Sequence, residues 1–367
     1  MPIRILQVVT TMDMGGIESL LMNLYRNIDR EKVQFDFLAH RDFEFYYEKE
    51  IKEMGGKIHR IMPITPTKIP QYCKELKCFF KKHPEYKVVH SHLNAWSYII
   101  LKTAKKCGVP VRIAHSHTTN LRSRRNKIRV MFIDFCRANI NKQTTHRYAC
   151  SKGAGEWLYG KANFEVFKNS IDAQKFSFNE NIRNTVREEL GLKDELLLGH
   201  VGRMDSPKNH IFLIKVLKEL VKECPDTKLL LIGDGELRQN LELEAKNLGI
   251  KDNVIFTGSR LDIDRLLQAV DVFFFPSKFE GLPVTVVEAQ AAGLPTIMSD
   301  TVTDEVIVTD LVKVLPIDDS EVWVQEILNT DILKIRKDTK EDIVKSGFDI
   351  NDTVKRLEEF YLNEYSK

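Results

Sequence analysis

A chain of 367 residues with 43% hydrophobic and 29% charged side chains has the make-up of an ordinary soluble globular protein, too long for one comfortable core, so two domains are expected. Its six cysteines (Cys73, Cys78, Cys107, Cys136, Cys150 and Cys224) form no C-x-x-C pair, which argues against a disulfide framework or structural zinc and favours a reducing compartment. The net charge of +3 hides an asymmetry: residues 1–180 carry 31 Lys+Arg against 17 Asp+Glu, and the remainder 24 against 35. A basic first half suggests a face that meets anions, with solvated helix faces as the alternative.

The start, Met1-Pro2-Ile3-Arg4-Ile5, runs into a strand-like segment without the apolar stretch of a secretory signal, and no apolar run reaches bilayer length. The expectation is a cytoplasmic chain that does not span a membrane. Short β-branched runs then alternate with segments of helical period, the pattern of parallel sheets with crossover helices. Strands are predicted at Ile3–Val9, Phe35–Ala39, Lys87–Ser91, Val111–His115 and Arg147–Cys150, and Ile17, Leu20, Leu21, Leu24 and Ile28 mark one apolar helix face after the first strand.

The second half starts the pattern over. Strands are predicted at Leu196–Val201, Lys228–Ile232, Asn253–Phe256, Val272–Pro276, Pro295–Ser299 and Leu311–Leu315, with a helix turning Ile211, Phe212, Ile214, Leu217 and Leu220 inward. Lys168 to Asp172 reads as the linker. The last sixteen residues read as an amphipathic helix with Val354, Leu357, Phe360 and Tyr361 on one face.

Three segments carry chemistry. Met12-Asp13-Met14-Gly15-Gly16-Ile17-Glu18 joins the first strand to the first helix, where Gly15 and Gly16 let a ligand approach the backbone and helix-terminal N–H groups favour an anion; a plain tight turn is the alternative. Gly202-Arg203-Met204-Asp205-Ser206-Pro207-Lys208 places Arg203 and Lys208 at the carboxyl edge of the second sheet, positioned to neutralise a leaving diphosphate unless the loop is merely solvated. In Glu280-Gly281-Leu282-Pro283-Val284-Thr285-Val286-Val287-Glu288, two carboxylates eight positions apart straddle a strand-to-helix turn. There Gly281 permits close approach, amides near Val284 and Thr285 suit a phosphate, and Glu288 suits sugar hydroxyls; a carboxylate that only partners the helix dipole is the other reading.

Together with Leu231-Ile232-Gly233-Asp234-Gly235, Pro276-Ser277 and the trailing Ala289-Gln290-Ala291-Ala292-Gly293-Leu294-Pro295, these segments resemble the retaining glycosyltransferases of family GT4 over nearly the whole chain. The resemblance implies an α/β GT-B fold of two facing Rossmann-like, doubly wound domains with a nucleotide-sugar cleft between them. Residues 1–168 would bind the acceptor, residues 169–349 the nucleotide sugar, and residues 350–367 would form a helix returning to the first domain. Glu288 would hold the donor ribose, Glu280 would lie near the donor sugar, Arg203 and Lys208 would grip the diphosphate, and Gly281, Leu282, Val284 and Thr285 would line the donor, with Gly15 and Gly16 closing over it. His92 and His117 follow strands in His90-Ser91-His92 and His115-Ser116-His117; the resemblance places His117 beside the donor sugar, and His92 is expected on the acceptor side. No third ligand of fitting spacing accompanies these pairs, so no metal or other cofactor is expected. Departures from the family pattern occur at Ser170 and Asn209, where glycine is common.

Asp262-Ile263-Asp264 has the D-x-D form of metal-dependent transferases, but it precedes a helical segment, where N-capping and dipole pairing are the expectation. Arg122, Arg124, Arg125, Lys127 and Arg129, followed by Val130, Met131, Phe132, Ile133 and Phe135, suit an anionic membrane or a lipid-linked acceptor; a core helix with a wet face is the alternative. The resemblance implies a surface-polysaccharide acceptor and a UDP-sugar donor. A nucleotide-sugar epimerase or a non-catalytic binder of the same fold stays open, and no recognition helix or aromatic RNA signature points to nucleic acid.

Overall fold

The computed structural model describes residues 1–118, 127–329 and 336–367. The chain forms two compact units, Met1–Ser170 with Ile350–Lys367, and Ile171–Asp349. The first is built on β1 (Ile3–Val9), β2 (Val33–Ala39), β3 (Ile58–Arg60), β4 (Val88–Ser91), β5 (Val111–Ser116), β6 (His146–Ala149) and β7 (Glu165–Val166). These pair in parallel in the order β3-β2-β1-β4-β5-β6-β7. β2 is buried along its whole length, and its two polar residues are paired: Gln34 accepts from the Tyr25 hydroxyl, and Asp36 from Arg4 and the Tyr86 hydroxyl. β3 and β7, not anticipated from the sequence, are edge strands of three and two residues, too short to leave a periodic trace.

The second unit repeats the plan with β8 (Leu197–Val201), β9 (Lys228–Ile232), β10 (Val254–Gly258), β11 (Val272–Phe275), β12 (Thr296–Ser299) and β13 (Val312–Leu315). Their order is β10-β9-β8-β11-β12-β13, again parallel. In each sheet the strand order reverses beside the first strand, between β1 and β4 and between β8 and β11. Ligands of open parallel sheets bind outside the carboxyl ends at such reversals, because the loops there diverge and leave a crevice.

The C-terminal helix, Ile350–Tyr365, completes the first unit. Ile350, Val354, Leu357 and Tyr361, spaced four, three and four apart, form its buried stripe and join the core of β1, β2, β4, β5 and the helix Gly16–Asn27. Lys32 and the Asp29 N–H both reach Glu358, which anchors the outer face. In the second unit the helix His210–Glu223 buries Phe212, Leu213, Ile214, Val216, Leu217 and Leu220, whereas Ile211, predicted inward, is exposed because it falls on the face of Lys215 and Lys222. Among the described residues no helix is long and apolar enough to cross a membrane.

The loops after β8 and β9 are clamped by a close backbone approach. Gly233 has φ of +141°, and a Cβ there would lie 2.1 Å from the Gly202 carbonyl oxygen. Gly233→Ala is expected to destabilise the chain by roughly 2 kcal/mol or more, seen as a lower thermal midpoint. Gly249→Ala, where φ is +72° but a Cβ would meet nothing, should lose only about 1 kcal/mol.

Candidate functional site

Two loops of the second unit meet at its switch point. After β8 the chain is held by bonds from Gly202 N–H to the Ile232 carbonyl and from Met204 N–H to that of Asp234. Lys208 ends a short 3-10 turn, Ser206–Lys208. Gly202 leaves room for its stem, since a Cβ on Gly202 would come within 3.1 Å of Lys208 Cδ. The Lys208 ammonium lies 2.8 Å from Glu280 Oε1, with both side chains largely covered, and 4.8 Å from the centroid of the Phe275 ring. Lys278 N–H donates to the Pro207 carbonyl and Asn209 Nδ2 to that of Pro276, tying the loops after β8 and β11 into one surface. Asn209 takes left-handed backbone, φ +57°, a conformation that asparagine, like glycine, tolerates. Arg203 is exposed and has no ion pair among the described residues.

Past Glu280 and Gly281, with Leu282 buried, Pro283 opens the helix Val284–Ala291 without a side-chain cap. Its first amides, those of Val284 and Thr285 included, have no carbonyl within the helix to accept them, and the Thr285 and Ser277 hydroxyls are buried without a hydrogen-bond partner. Such a helix end is disposed to hold an anion.

Glu288 lies more than a helical turn further on, and the two carboxylates that straddle the turn have different neighbours: Glu280 faces Lys208, whereas Glu288 feels Asp264 and Lys175. Burial first, and then the Asp264 charge, push the Glu288 carboxyl up to about 7. Asp262 stands at the N-cap position of the helix Ile263–Ala269 but caps with no side-chain bond; its carboxylate takes a two-pronged contact from Arg260 at 2.8 and 2.6 Å instead. Asp264 pairs with Lys175 at 3.1 Å, so the two carboxylates of the D-x-D sequence serve separate cations.

In the first unit Gly15 is the N-cap of the helix Gly16–Asn27. A Cβ on Gly15 would lie 2.4 Å from Glu18 Oε2, the free end of a carboxylate that folds back and accepts from Thr11 Oγ1 at 3.2 Å. Gly16 is exposed, with open space where a Cβ would stand.

At the carboxyl ends of β4 and β5 four imidazoles stack. His90 and His92 lie 4.3 Å apart by ring centroid, His115 and His117 4.1 Å. His92 Nδ1 meets His117 Nε2 at 2.9 Å, and His92 Nε2 meets Gln7 Oε1 at 2.9 Å. His92, expected to touch an acceptor, therefore has both ring nitrogens engaged and supports His117 from behind. Desolvation lowers all four pKa values, that of His117 to about 3, so every ring is neutral. The backbone N–H of His117 donates to Asn94 Oδ1 at 2.7 Å, and Asn94 has φ of +50°.

Spacing alone suggested no third ligand, yet pairing of β4 with β5 brings ring nitrogens of His90, His92 and His115 within 4.8 Å of one another. A metal would have to compete with the ring-to-ring hydrogen bonds for their lone pairs. The sequence reading also missed Gln7, Asn94 and Tyr361 as partners of this cluster. Gln7 carried a signal: it is the one amide in an otherwise apolar stretch, Ile5 to Val9, and a buried amide demands partners.

The helix Lys127–Ile140 exposes Met131 at 72% and Phe135 at 52%, while Ile133 is buried and Phe132 packs on Trp96. Arg122, Arg124 and Arg125 lie outside the described residues.

Residues 182–341 match the family model described as "Glycosyl transferases group 1". The chain is 35% identical to the putative glycosyltransferase EpsF of Bacillus subtilis (strain 168), over 98% of this chain and 96% of that protein. It is 26% identical to the Escherichia coli UDP-Gal:alpha-D-GlcNAc-diphosphoundecaprenol alpha-1,3-galactosyltransferase, over 77% of this chain and 76% of that one. The fold is shared with Anabaena HepE in complex with UDP and glucose, at a TM-score of 0.80 and 16% identity, over 98% of this chain and 100% of that chain.

The raised Glu288 carboxyl has a pH signature. Below about 4.5 the group is protonated folded or unfolded and costs nothing; between about 4.5 and about 7 the unfolded chain ionises first, and the resulting cost persists at higher pH. Glu288→Gln is therefore expected to raise the thermal midpoint more at pH 8 than at pH 5, checked by melting curves at both.

Proposed function

The chain belongs to the group 1 glycosyl transferases, and from that premise we propose that it moves a sugar from a UDP-sugar to a hydroxyl of a lipid-linked or growing surface-polysaccharide acceptor, retaining the anomeric configuration and needing no metal. The observation that carries this reading is Lys208, held by Glu280 at the carboxyl end of the second sheet beside an uncapped helix start. UDP as the donor nucleotide draws support from the complex named for HepE and from the donor named for the E. coli relative. The acceptor class draws support from the diphosphoundecaprenol named for that relative.

In this reading Lys208 and Arg203 neutralise the departing diphosphate, doing the electrostatic work that a cation does elsewhere, and the amides of Val284 and Thr285 add fixed dipoles. Gly281 and Leu282 shape the turn against the donor, and Glu280 orients Lys208 until the sugar arrives. Glu288, as a carboxylate, accepts from the ribose hydroxyls, and keeping it ionised while buried costs the fold stability. In the first unit the turn at Gly15 and Gly16 leaves the start of the first helix open to an anion, and His117 hydrogen-bonds a sugar hydroxyl. No carboxylate is placed as a covalent nucleophile, so the acceptor hydroxyl attacks on the face from which the diphosphate leaves. Positioning and charge stabilisation supply the rate.

The test is incubation with labelled UDP-glucose, UDP-galactose and UDP-N-acetylglucosamine. Transfer or slow hydrolysis supports the proposal; an isomerised nucleotide sugar identifies an epimerase, and inert binding a non-catalytic protein. Lys208→Ala should lower kcat on the order of 10²-fold or more while far-ultraviolet circular dichroism stays unchanged, and near-normal kcat in that variant refutes the assigned role.

The exposed Met131 and Phe135, beside exposed Lys127 and Arg129, favour a peripheral contact with an anionic membrane. Flotation with anionic liposomes should recover the protein at low salt, and Met131→Ser with Phe135→Ser should reduce recovery. Indifference to lipid charge and salt removes the membrane reading.

A further inference from the structure

The histidine cluster of the first unit has a hydrogen-bond direction that can be read from one end to the other. A neutral imidazole has one N–H and one lone pair, so fixing the proton on one ring fixes its neighbours. Gln7 sets that direction: its Nε2 donates to the Tyr361 hydroxyl at 3.2 Å, which turns its Oε1 to His92 Nε2 at 2.9 Å. An amide oxygen only accepts, so His92 carries its proton on Nε2.

The rest follows by bookkeeping of protons. On the other side Tyr361, accepting from Gln7, gives its own hydroxyl proton to His90 Nδ1 at 2.7 Å, so His90 carries its proton on Nε2 and His115 Nδ1 accepts it at 3.2 Å. His92, donating from Nε2, accepts at Nδ1, and His117 Nε2 supplies that proton. What remains is His117 Nδ1, a bare lone pair, buried and without a hydrogen-bond partner. Every contact in the chain is buried or nearly so, where water is not at hand to reverse the order.

We propose that Gln7 and Tyr361 are positioning residues that lock His117 as its Nε2–H tautomer, so that Nδ1 accepts a hydrogen bond from a hydroxyl of the substrate. The inference rests on the reading of His117 as a sugar-facing residue. It adds that this histidine receives a proton contact rather than giving one, and that the C-terminal helix, through Tyr361, takes part in setting it.

The experiment is ring-¹⁵N spectroscopy of the full chain labelled with [¹⁵N]histidine, the His117 signals being assigned by their loss in His117→Gln. His117 Nδ1 is expected to resonate as an unprotonated nitrogen and Nε2 as a protonated one. Gln7→Leu and the nearly isosteric Tyr361→Phe should each mix the tautomers and lower kcat/KM for the UDP-sugar turned over fastest in the panel, Gln7→Leu by about 10-fold, the worth of one hydrogen bond. Gln7→Glu, whose neutral carboxyl offers C=O to His92 and O–H to Tyr361, should restore both readouts. A proton found on His117 Nδ1 in the unsubstituted chain overturns the proposal, as does a tautomer unmoved in both Gln7→Leu and Tyr361→Phe. Unchanged kcat/KM in His117→Ala refutes instead the sugar-facing reading on which it rests, while the spectra still decide the tautomer.

Discussion

The ion pair between Lys208 and Glu280 joins the loops that follow β8 and β11, and the functional reading of the second unit depends on it. A lysine on a flexible four-carbon stem is a poor instrument for charge stabilisation unless something fixes its ammonium. Here the carboxylate, the Phe275 ring and the space left by Gly202 hold it in one place. That placement in turn requires the Gly202–Gly233 backbone contact and the left-handed Asn209, so residues with no charge of their own govern where the charge sits.

Both units use the same architectural opportunity. A parallel sheet aims its loops outward at the carboxyl ends, and the reversal of strand order opens a crevice between two of them. In the second unit the crevice is bordered by cations and by an uncapped helix start, a combination that suits a diphosphate. In the first unit it is bordered by neutral imidazoles whose protons run in one direction, a combination that suits hydroxyls. The difference is one of desolvation: Lys208 keeps its partner close, whereas the histidines have no carboxylate among their hydrogen-bond partners in the described residues and stay uncharged.

Much of the fold was legible because buried strands and amphipathic helices leave strong periodic traces. β1 and β9 begin and end where the apolar runs do, and the stripe of Val354, Leu357 and Tyr361 announced the last helix. Less of the site was legible. The turn Glu280 to Glu288 was visible as a motif, but one carboxylate faces Lys208 while the other lies near Asp264, because Glu280 stands in the loop before the helix Val284–Ala291 and Glu288 within it. Asp262 occupied the capping position as expected, yet Arg260, two residues away, offered its carboxylate a better partner than the helix amides.

The sequence by itself determined the succession of strands and helices, the glycines at turns where a side chain would collide, and the polar residues at strand ends, since each of these is written in local periodicity and local sterics. Only the tertiary structure decided which polar groups share a partner. Gln7 and Tyr361 are 354 residues apart and the two H-x-H pairs 25, yet they form one network because β1, β4 and β5 are neighbours and the last helix covers them. Strand order and the direction of a buried hydrogen bond arise from packing between distant segments, and no local pattern of side chains encodes them.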